Sequence, residues 1–84
     1  MELKSTVALM ESGYYKERFL AEYLQLTIRR NKLAAMLEKW DNGELHFTPT
    51  CPRSTYNLQI KVMDDYIAIM EARAVMENVT LPEV

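Results

Sequence analysis

The chain has 84 residues, of which 49% are hydrophobic and 26% charged, and its formal net charge is −2 at pH 7. This length predicts one domain, and the composition is typical of an ordered protein rather than a disordered one. The negative charge argues against a protein that coats DNA or RNA, since such proteins present a broad basic surface. The sequence has no apolar run long enough to cross a membrane and no signal-peptide pattern. It therefore predicts an intracellular protein without a membrane segment.

Groups that commonly carry catalysis are scarce. The single cysteine, Cys51, excludes an internal disulfide framework, and with the single histidine, His46, it cannot form a Cys/His zinc site. Glycine-rich phosphate loops, HExxH motifs and dinucleotide fingerprints are missing. The adjacent carboxylates Asp64 and Asp65 would point in different directions on a helix, so we expect both to face solvent. We expect no metal, no cofactor and no enzymatic activity.

The first predicted element is a short helix over about residues 2–11. Its apolar residues recur at helical spacing: Leu3, Val7 and Met10. Ser12 follows this pattern and is a candidate N-cap for the next helix.

A long helix is predicted over about residues 14–40, because this stretch lacks Gly and Pro and is rich in strong helix formers. At about 1.5 Å per residue, the stretch from Tyr15 to Trp40 would be roughly 39 Å long. A stripe with spacings of four and three residues runs along it: Phe19, Tyr23, Leu26, Arg30, Leu33, Leu37 and Trp40. This spacing is typical of a helix packed lengthwise against a partner.

Residues 41–53 are predicted to form a loop, because Gly43 favours the end of a helix and two prolines follow it. A second helix is predicted over about residues 54–78, with Ser54 as its candidate N-cap, and residues 79–84 form a tail. Two heptad rows run along this helix: Tyr56, Ile60, Met63, Ile67, Met70 and Ala74 in one, and Gln59, Val62, Tyr66, Ile69, Arg73 and Met76 in the other.

A helix with two such rows requires more than one helical neighbour. Since the chain has two long helices, the additional neighbours would come from other copies of the chain. The predicted fold class is all-α, with a short N-terminal helix and an antiparallel two-helix hairpin that assembles into a compact homo-oligomer.

Two arginines interrupt these apolar rows, Arg30 in the first long helix and Arg73 in the second. A guanidinium in an apolar seam carries a heavy desolvation cost unless a carboxylate or an anionic ligand satisfies it. The arginines could also extend their charged ends to solvent or pair with a glutamate across an interface. The pattern leaves open an ordinary helical bundle and a site for an anion.

The start of the long helix carries a tyrosine pair, Tyr14 and Tyr15, beside two cations, Lys16 and Arg18. A tyrosine ring offers a surface on which a base can stack, and an arginine presents a planar fork that suits phosphate oxygens. Aromatic and basic side chains together at a subunit edge favour a nucleotide pocket.

The order of landmarks along both helices resembles a bacteriophage family, the anti-CBASS protein 2 family, which includes a T4-type member. The resemblance covers roughly residues 14–79 and rests on Tyr15-x-x-Arg18, Glu22, Leu26, Lys32-Leu33, Phe47, Gln59, Met63, Tyr66, Arg73 and Ala74. It implies a helical protein that assembles as a hexamer in the cytoplasm of the infected bacterial host. It also implies that the protein sequesters cyclic oligonucleotide messengers, such as 3′,3′-cyclic GMP-AMP, without cleaving them, so that the CBASS effector stays inactive.

The resemblance implies that a cyclic dinucleotide binds between protomers. Tyr15 would stack on a base, with Tyr14, Lys16 and Arg18 beside it. The phosphate-binding position, about four turns further on, falls on Arg29 or Arg30, and we prefer Arg30. This position is a lysine in the family, so the arginine here would bind phosphate with a different geometry.

The resemblance also implies a separate pocket near a three-fold axis, which holds cyclic trinucleotides in some members. Arg73 is the candidate for this pocket, with Gln59 in the same row.

Two other functions are alternatives to the sequestration of cyclic oligonucleotides. The first is a helical protein–protein interaction module that inhibits a host protein. The second is a nucleic-acid accessory protein that would use Arg29, Arg30 and Lys32 on phosphates, which the net negative charge disfavours. We expect no binding to duplex DNA or RNA.

Overall fold

The computed structural model describes residues 1–83 and is built around two long antiparallel helices. A 3-10 helix at Leu3–Thr6 leads into α1 at Val7–Met10, followed by α2 at Tyr15–Asp41 and α3 at Arg53–Glu77. Every regular element within residues 1–83 is helical, which confirms the predicted all-α class. Val84, the last residue of the predicted tail, lies outside the described residues. None of the helices in the described part of the chain is long and apolar enough to span a membrane.

The two helix starts differ from the predicted caps. Tyr14, in extended conformation, is the N-cap of α2, and Pro52 is the N-cap of α3, so neither Ser12 nor Ser54 caps a helix. Ser12 still organises the start of α2. Its hydroxyl oxygen accepts a hydrogen bond from the Tyr14 N–H at 3.0 Å, and its carbonyl accepts one from Arg18 at 2.9 Å.

The N-terminal segment packs on α2 through Leu9, which lies against the hydrophobic core, and through one buried polar side chain. Thr6 is fully buried; its hydroxyl donates to the Leu3 carbonyl at 2.7 Å and accepts from the Gln25 amide at 2.9 Å. Of the predicted apolar row, Val7 and Met10 stay exposed. The segment predicted as one helix is therefore a 3-10 turn and a short α-helix, held to α2 by a hydrogen-bonded threonine.

The core lies at the end of the hairpin where α2 begins and α3 ends. It is built from Phe19, Tyr23, Leu24, Met70, Ala74 and Val79. The tail reaches this core because Asn78 adopts a left-handed conformation, with φ of 56°, and turns the chain back. The Val79 N–H then donates to the Ala74 carbonyl at 2.8 Å. This cap places Val79 over the end of α3.

The opposite end of the hairpin is closed by an aromatic and ionic cluster. The rings of Trp40 and Tyr56 meet edge to face with centroids 6.0 Å apart. The Arg53 guanidinium lies 5.4 Å from the Trp40 ring centroid and pairs with Asp41. This cluster joins the end of α2 to the start of α3.

One side of α3 carries large apolar side chains that stay exposed in the single chain. Within Arg53–Glu77, only Met70 and Ala74 are buried. We call the exposed large side chains of this side the α3 outer row: Leu58, Val62, Tyr66, Ile69 and Met76, which are between 41% and 72% exposed. Four of them belong to the second predicted heptad row. The fifth, Leu58, directly precedes Gln59, the first residue of that row.

Candidate ligand-binding site

Tyr15, the predicted stacking residue, lies in the first turn of α2 beside the last turn of α3. Its hydroxyl donates to the Glu77 carboxylate at 2.5 Å and accepts from the Arg73 guanidinium at 2.8 Å. Its ring contacts Phe19 edge to face, with centroids 6.3 Å apart. Tyr15 is nevertheless 49% exposed, so an anchored aromatic ring is presented at the surface.

Arg73 completes this arrangement. Its Nε donates to the second Glu77 oxygen at 2.9 Å, and its guanidinium lies 5.1 Å from the Phe19 ring centroid. We call Tyr15, Arg73 and Glu77 the Tyr15 cluster. Tyr15 and Arg73 were predicted for different pockets, and Glu77 was not a predicted site residue. The spacing of Arg73 and Glu77, four residues apart on one helix, could have predicted their ion pair.

The hydrogen bonds of the Tyr15 cluster shift its ionisation equilibria. The hydrogen bond to Glu77 raises the pKa of Tyr15, so the hydroxyl stays protonated and continues to donate. Hydrogen bonds from Tyr15 and then Arg73 lower the pKa of Glu77. The hydrogen bond to Glu77 also raises the pKa of Arg73. At neutral pH the cluster therefore holds a carboxylate and a guanidinium on either side of a neutral phenol.

The other residues predicted around Tyr15 lie at the same end of the hairpin. Tyr14 is 76% exposed. Lys16 donates to the Asn78 carbonyl at 3.0 Å, and Arg18 donates to the Ser12 carbonyl at 2.9 Å. Both cations are exposed, so they add positive charge to this end of the hairpin.

Arg30 pairs with a carboxylate in the isolated chain. Its guanidinium donates to both oxygens of Asp64, at 2.7 and 3.4 Å, and the shorter hydrogen bond raises the pKa of Arg30. Asp64, which we expected to face solvent, is exposed and is also the partner of Arg30. The neighbouring Arg29 is exposed and makes no ion pair within residues 1–83.

Among the surface cavities along α2 are two with different linings. One, of about 660 Å³, includes Arg30 and Asn31 and is bounded by the tail at Leu81. The other, of about 290 Å³, lies between α2 and the loop that precedes α3 and is lined by neither Tyr15 nor Arg30. Of these two cavities, the one beside Arg30 adjoins a predicted site residue.

The structure separates the residues that were predicted to share a ligand. With a rise of about 1.5 Å per residue, Tyr15 and Arg30 lie roughly 22 Å apart along α2. Gln59 and Arg73 lie roughly 21 Å apart along α3. Neither pair can hold one small ligand within a single chain, whereas Tyr15 and Arg73, predicted for different ligands, are in direct contact.

Comparison with protein families identifies the part of the chain that contains these residues. Residues 14–76 match the family model described as Sequestin. The match spans α2, the loop and nearly all of α3, and it includes every predicted ligand-binding residue. Comparisons with curated proteins and with solved structures return no match.

Proposed function

Because the chain belongs to the Sequestin family, we propose that it acts by binding and sequestering a small signalling molecule and not by transforming it. We further propose that the molecule is a cyclic oligonucleotide, such as 3′,3′-cyclic GMP-AMP, and that its capture keeps a CBASS effector inactive during phage infection. Such a sponge works by mass action, so it must be abundant and bind its ligand more tightly than the effector does.

The anchored and exposed ring of Tyr15 is the observation that carries this proposal. Its hydroxyl is fixed by Glu77 and Arg73 while about half of the residue is open to solvent. A base that stacks on a ring already held in place orders fewer side-chain rotamers on binding than one that stacks on a free ring. This favours a planar, aromatic ligand such as a nucleobase.

The distance between Tyr15 and Arg30 supports a ligand that binds between two chains. Tyr15 of one chain would stack on a base while Arg30 of another binds phosphate through its planar fork. The α3 outer row, uncovered in the single chain, supplies an apolar surface for the assembly, and the hexamer remains the proposed form. To bind phosphate, Arg30 gives up part of its ion pair with Asp64. That pair is partly exposed to solvent.

Substitution of Tyr15 tests the stacking contact. Tyr15→Ala should weaken binding of 3′,3′-cyclic GMP-AMP by about 2 kcal/mol or more, because the stacked base loses its platform. Tyr56→Ala, at the loop end of the hairpin, should bind as the wild type does. Calorimetric titration measures both affinities, and circular dichroism checks that both variants remain helical. Wild-type affinity in a folded Tyr15→Ala protein would remove this residue from the site.

Arg30 can be tested against a second arginine in a similar ion pair. Arg30→Ala should cost about 2 kcal/mol of binding free energy through loss of a charge-assisted contact to phosphate. Arg53→Ala is the matched control, because Arg53 also grips both oxygens of one aspartate but lies at the loop end. Equal affinities of these two variants in the same titration would show that Arg30 is not the phosphate ligand.

The α3 outer row also supports a second candidate function, a helical module that binds and inhibits a host protein. An exposed apolar row along one helix is the kind of surface that such a module presents. This function predicts a stable complex in a pulldown from host lysate and no heat on titration with any cyclic nucleotide.

A further inference from the structure

We propose that Glu77 is a positioning residue that favours ligands stacking on Tyr15 over ligands binding the Arg73 guanidinium. This inference rests on the proposed function and concerns the selectivity of the same protein between cyclic dinucleotides and cyclic trinucleotides. Glu77 need not touch either ligand to act in this way.

The two oxygens of the Glu77 carboxylate bind different partners. One oxygen accepts from the Tyr15 hydroxyl at 2.5 Å and the other from Arg73 Nε at 2.9 Å. The contact between Arg73 and the Tyr15 hydroxyl, at 2.8 Å, closes a triangle. The first turn of α2 is thereby tied to the last turn of α3, and neither Tyr15 nor Arg73 can rotate without breaking a hydrogen bond.

For a ligand that stacks on Tyr15, this triangle is favourable. The ring is ordered before the ligand arrives, with Phe19 supporting its edge. Ordering a rotamer-rich side chain on binding lowers affinity, so loss of the anchor should weaken stacking by about three- to tenfold.

For a ligand that binds Arg73, the same triangle is unfavourable. Glu77 places a negative charge beside the guanidinium and uses its Nε donor, so an incoming phosphate must compete with the carboxylate. The pair is partly exposed, with 39% of the Arg73 side chain and 31% of the Glu77 side chain accessible, so competition is weakened by solvent. Removal of the charge should strengthen binding at Arg73 by about two- to fivefold.

Two variants separate these effects. Glu77→Gln keeps an oxygen that accepts from Tyr15 but removes the charge that holds Arg73, whereas Glu77→Ala removes both. With 3′,3′-cyclic GMP-AMP, we expect Glu77→Gln to stay within about twofold of the wild type and Glu77→Ala to bind about three- to tenfold more weakly. With the cyclic trinucleotide of three adenylates, both variants should bind about two- to fivefold more tightly.

Asp41 offers a matched control at the other end of the hairpin. Its carboxylate accepts from the Arg53 guanidinium at 2.5 and 3.1 Å, so it also holds an arginine of α3 without taking part in the Tyr15 cluster. Asp41→Ala should leave both affinities unchanged. General destabilisation would lower both affinities together and could not produce changes of opposite sign.

Titration of the full chain with both probes distinguishes the possible failures. A wild type that binds neither probe overturns the proposed function and this inference with it. If the wild type binds cyclic GMP-AMP, the proposed function stands. If Glu77→Ala then leaves both affinities unchanged, or alters both equally, the inference alone is overturned. Opposite changes in the two affinities, with Glu77→Gln preserving stacking, support it.

Discussion

Tyrosine–glutamate pairs recur across the boundary between α2 and α3. Tyr15 donates to Glu77, Tyr23 to Glu71, and Tyr66 to Glu22. Hydrogen bonding to glutamate raises the pKa of Tyr15 and Tyr66, and burial followed by hydrogen bonding raises that of Tyr23. The three phenols therefore remain donors at neutral pH, and each links α2 to α3.

Glu77 should make stability depend on pH in a predictable direction. Its pKa is lower in the folded chain than its ordinary value, because Tyr15 and Arg73 donate hydrogen bonds to the carboxylate. A lowered pKa stabilises the fold at pH values above the unfolded pKa, about 4.3, and this contribution is lost as pH falls through the folded-state pKa. The free energy of unfolding of the wild type should exceed that of Glu77→Gln at neutral pH, and the difference should shrink on acidification.

Urea unfolding of both proteins at a series of pH values measures this difference. The contributions of the other carboxylates to the pH dependence are the same in both proteins and cancel in the difference. One of them is Asp41, whose pKa is lowered by its hydrogen bond from Arg53. A difference that is the same at every pH would mean that the folded chain does not stabilise the charged form of Glu77.

At the level of the elements, the end of α3 depends on one left-handed residue. Asn78 has φ of 56°, a conformation that most side chains disfavour and that asparagine and glycine tolerate. Asn78→Ala should therefore destabilise the chain by about 1 kcal/mol. For a chain of this size the corresponding decrease in melting temperature is roughly 4–8 °C.

Two controls make this prediction specific. Asn78→Gly should melt close to the wild-type temperature, because glycine adopts the left-handed conformation without strain. Asn31→Ala, within α2, should not lower the melting temperature, because alanine is the best helix former. Thermal unfolding followed by circular dichroism compares all four proteins, and equal melting temperatures for Asn78→Ala and Asn78→Gly would contradict the assigned role of Asn78.

The two long helices were predictable from the sequence, whereas their ends and the N-terminal segment were less so. Absence of Gly and Pro, together with apolar periodicity, is a strong signal over more than twenty residues. The N-caps were harder to predict, because neighbouring residues can serve. Ser12 forms a turn before α2 instead of capping it. The helix α3 starts before Ser54, directly after Pro52. The N-terminal segment has a short, weak helical pattern and forms a 3-10 turn and one α-helical turn, with Thr6 bonded to Gln25.

At the scale of the whole molecule, the contacts of the candidate site could not be derived from the sequence. Tyr15 and Arg73 lie 58 positions apart, and their contact depends on the register of the hairpin. The pairing of Arg30 with Asp64 has the same origin. Residue types alone indicated that these arginines require anionic partners, but they did not specify which carboxylates would be near. Membership of the Sequestin family, in contrast, was accessible from the order of landmarks along the helices.

The α3 outer row predicts how assembly can be disrupted. Ile69 is 58% exposed near the middle of this row. Ile69→Glu places a charge where another chain would pack, so it should reduce the oligomer mass measured by sedimentation at micromolar concentration. Ala68→Glu is the matched control, since Ala68 is exposed on α3 outside the row. A folded wild-type monomer, or an Ile69→Glu protein of unchanged mass, would exclude this row as the interface.

Sequestration by a site between chains is tested most directly by calorimetric titration of the wild-type protein with 3′,3′-cyclic GMP-AMP, with linear GMP-AMP as the control. Tight binding of about one cyclic ligand per two chains, without heat from the linear form, is the predicted result, because Tyr15 and Arg30 are too far apart to act together within one chain. Absence of binding by cyclic GMP-AMP and by every other cyclic oligonucleotide would contradict the sponge function and favour the protein-binding module.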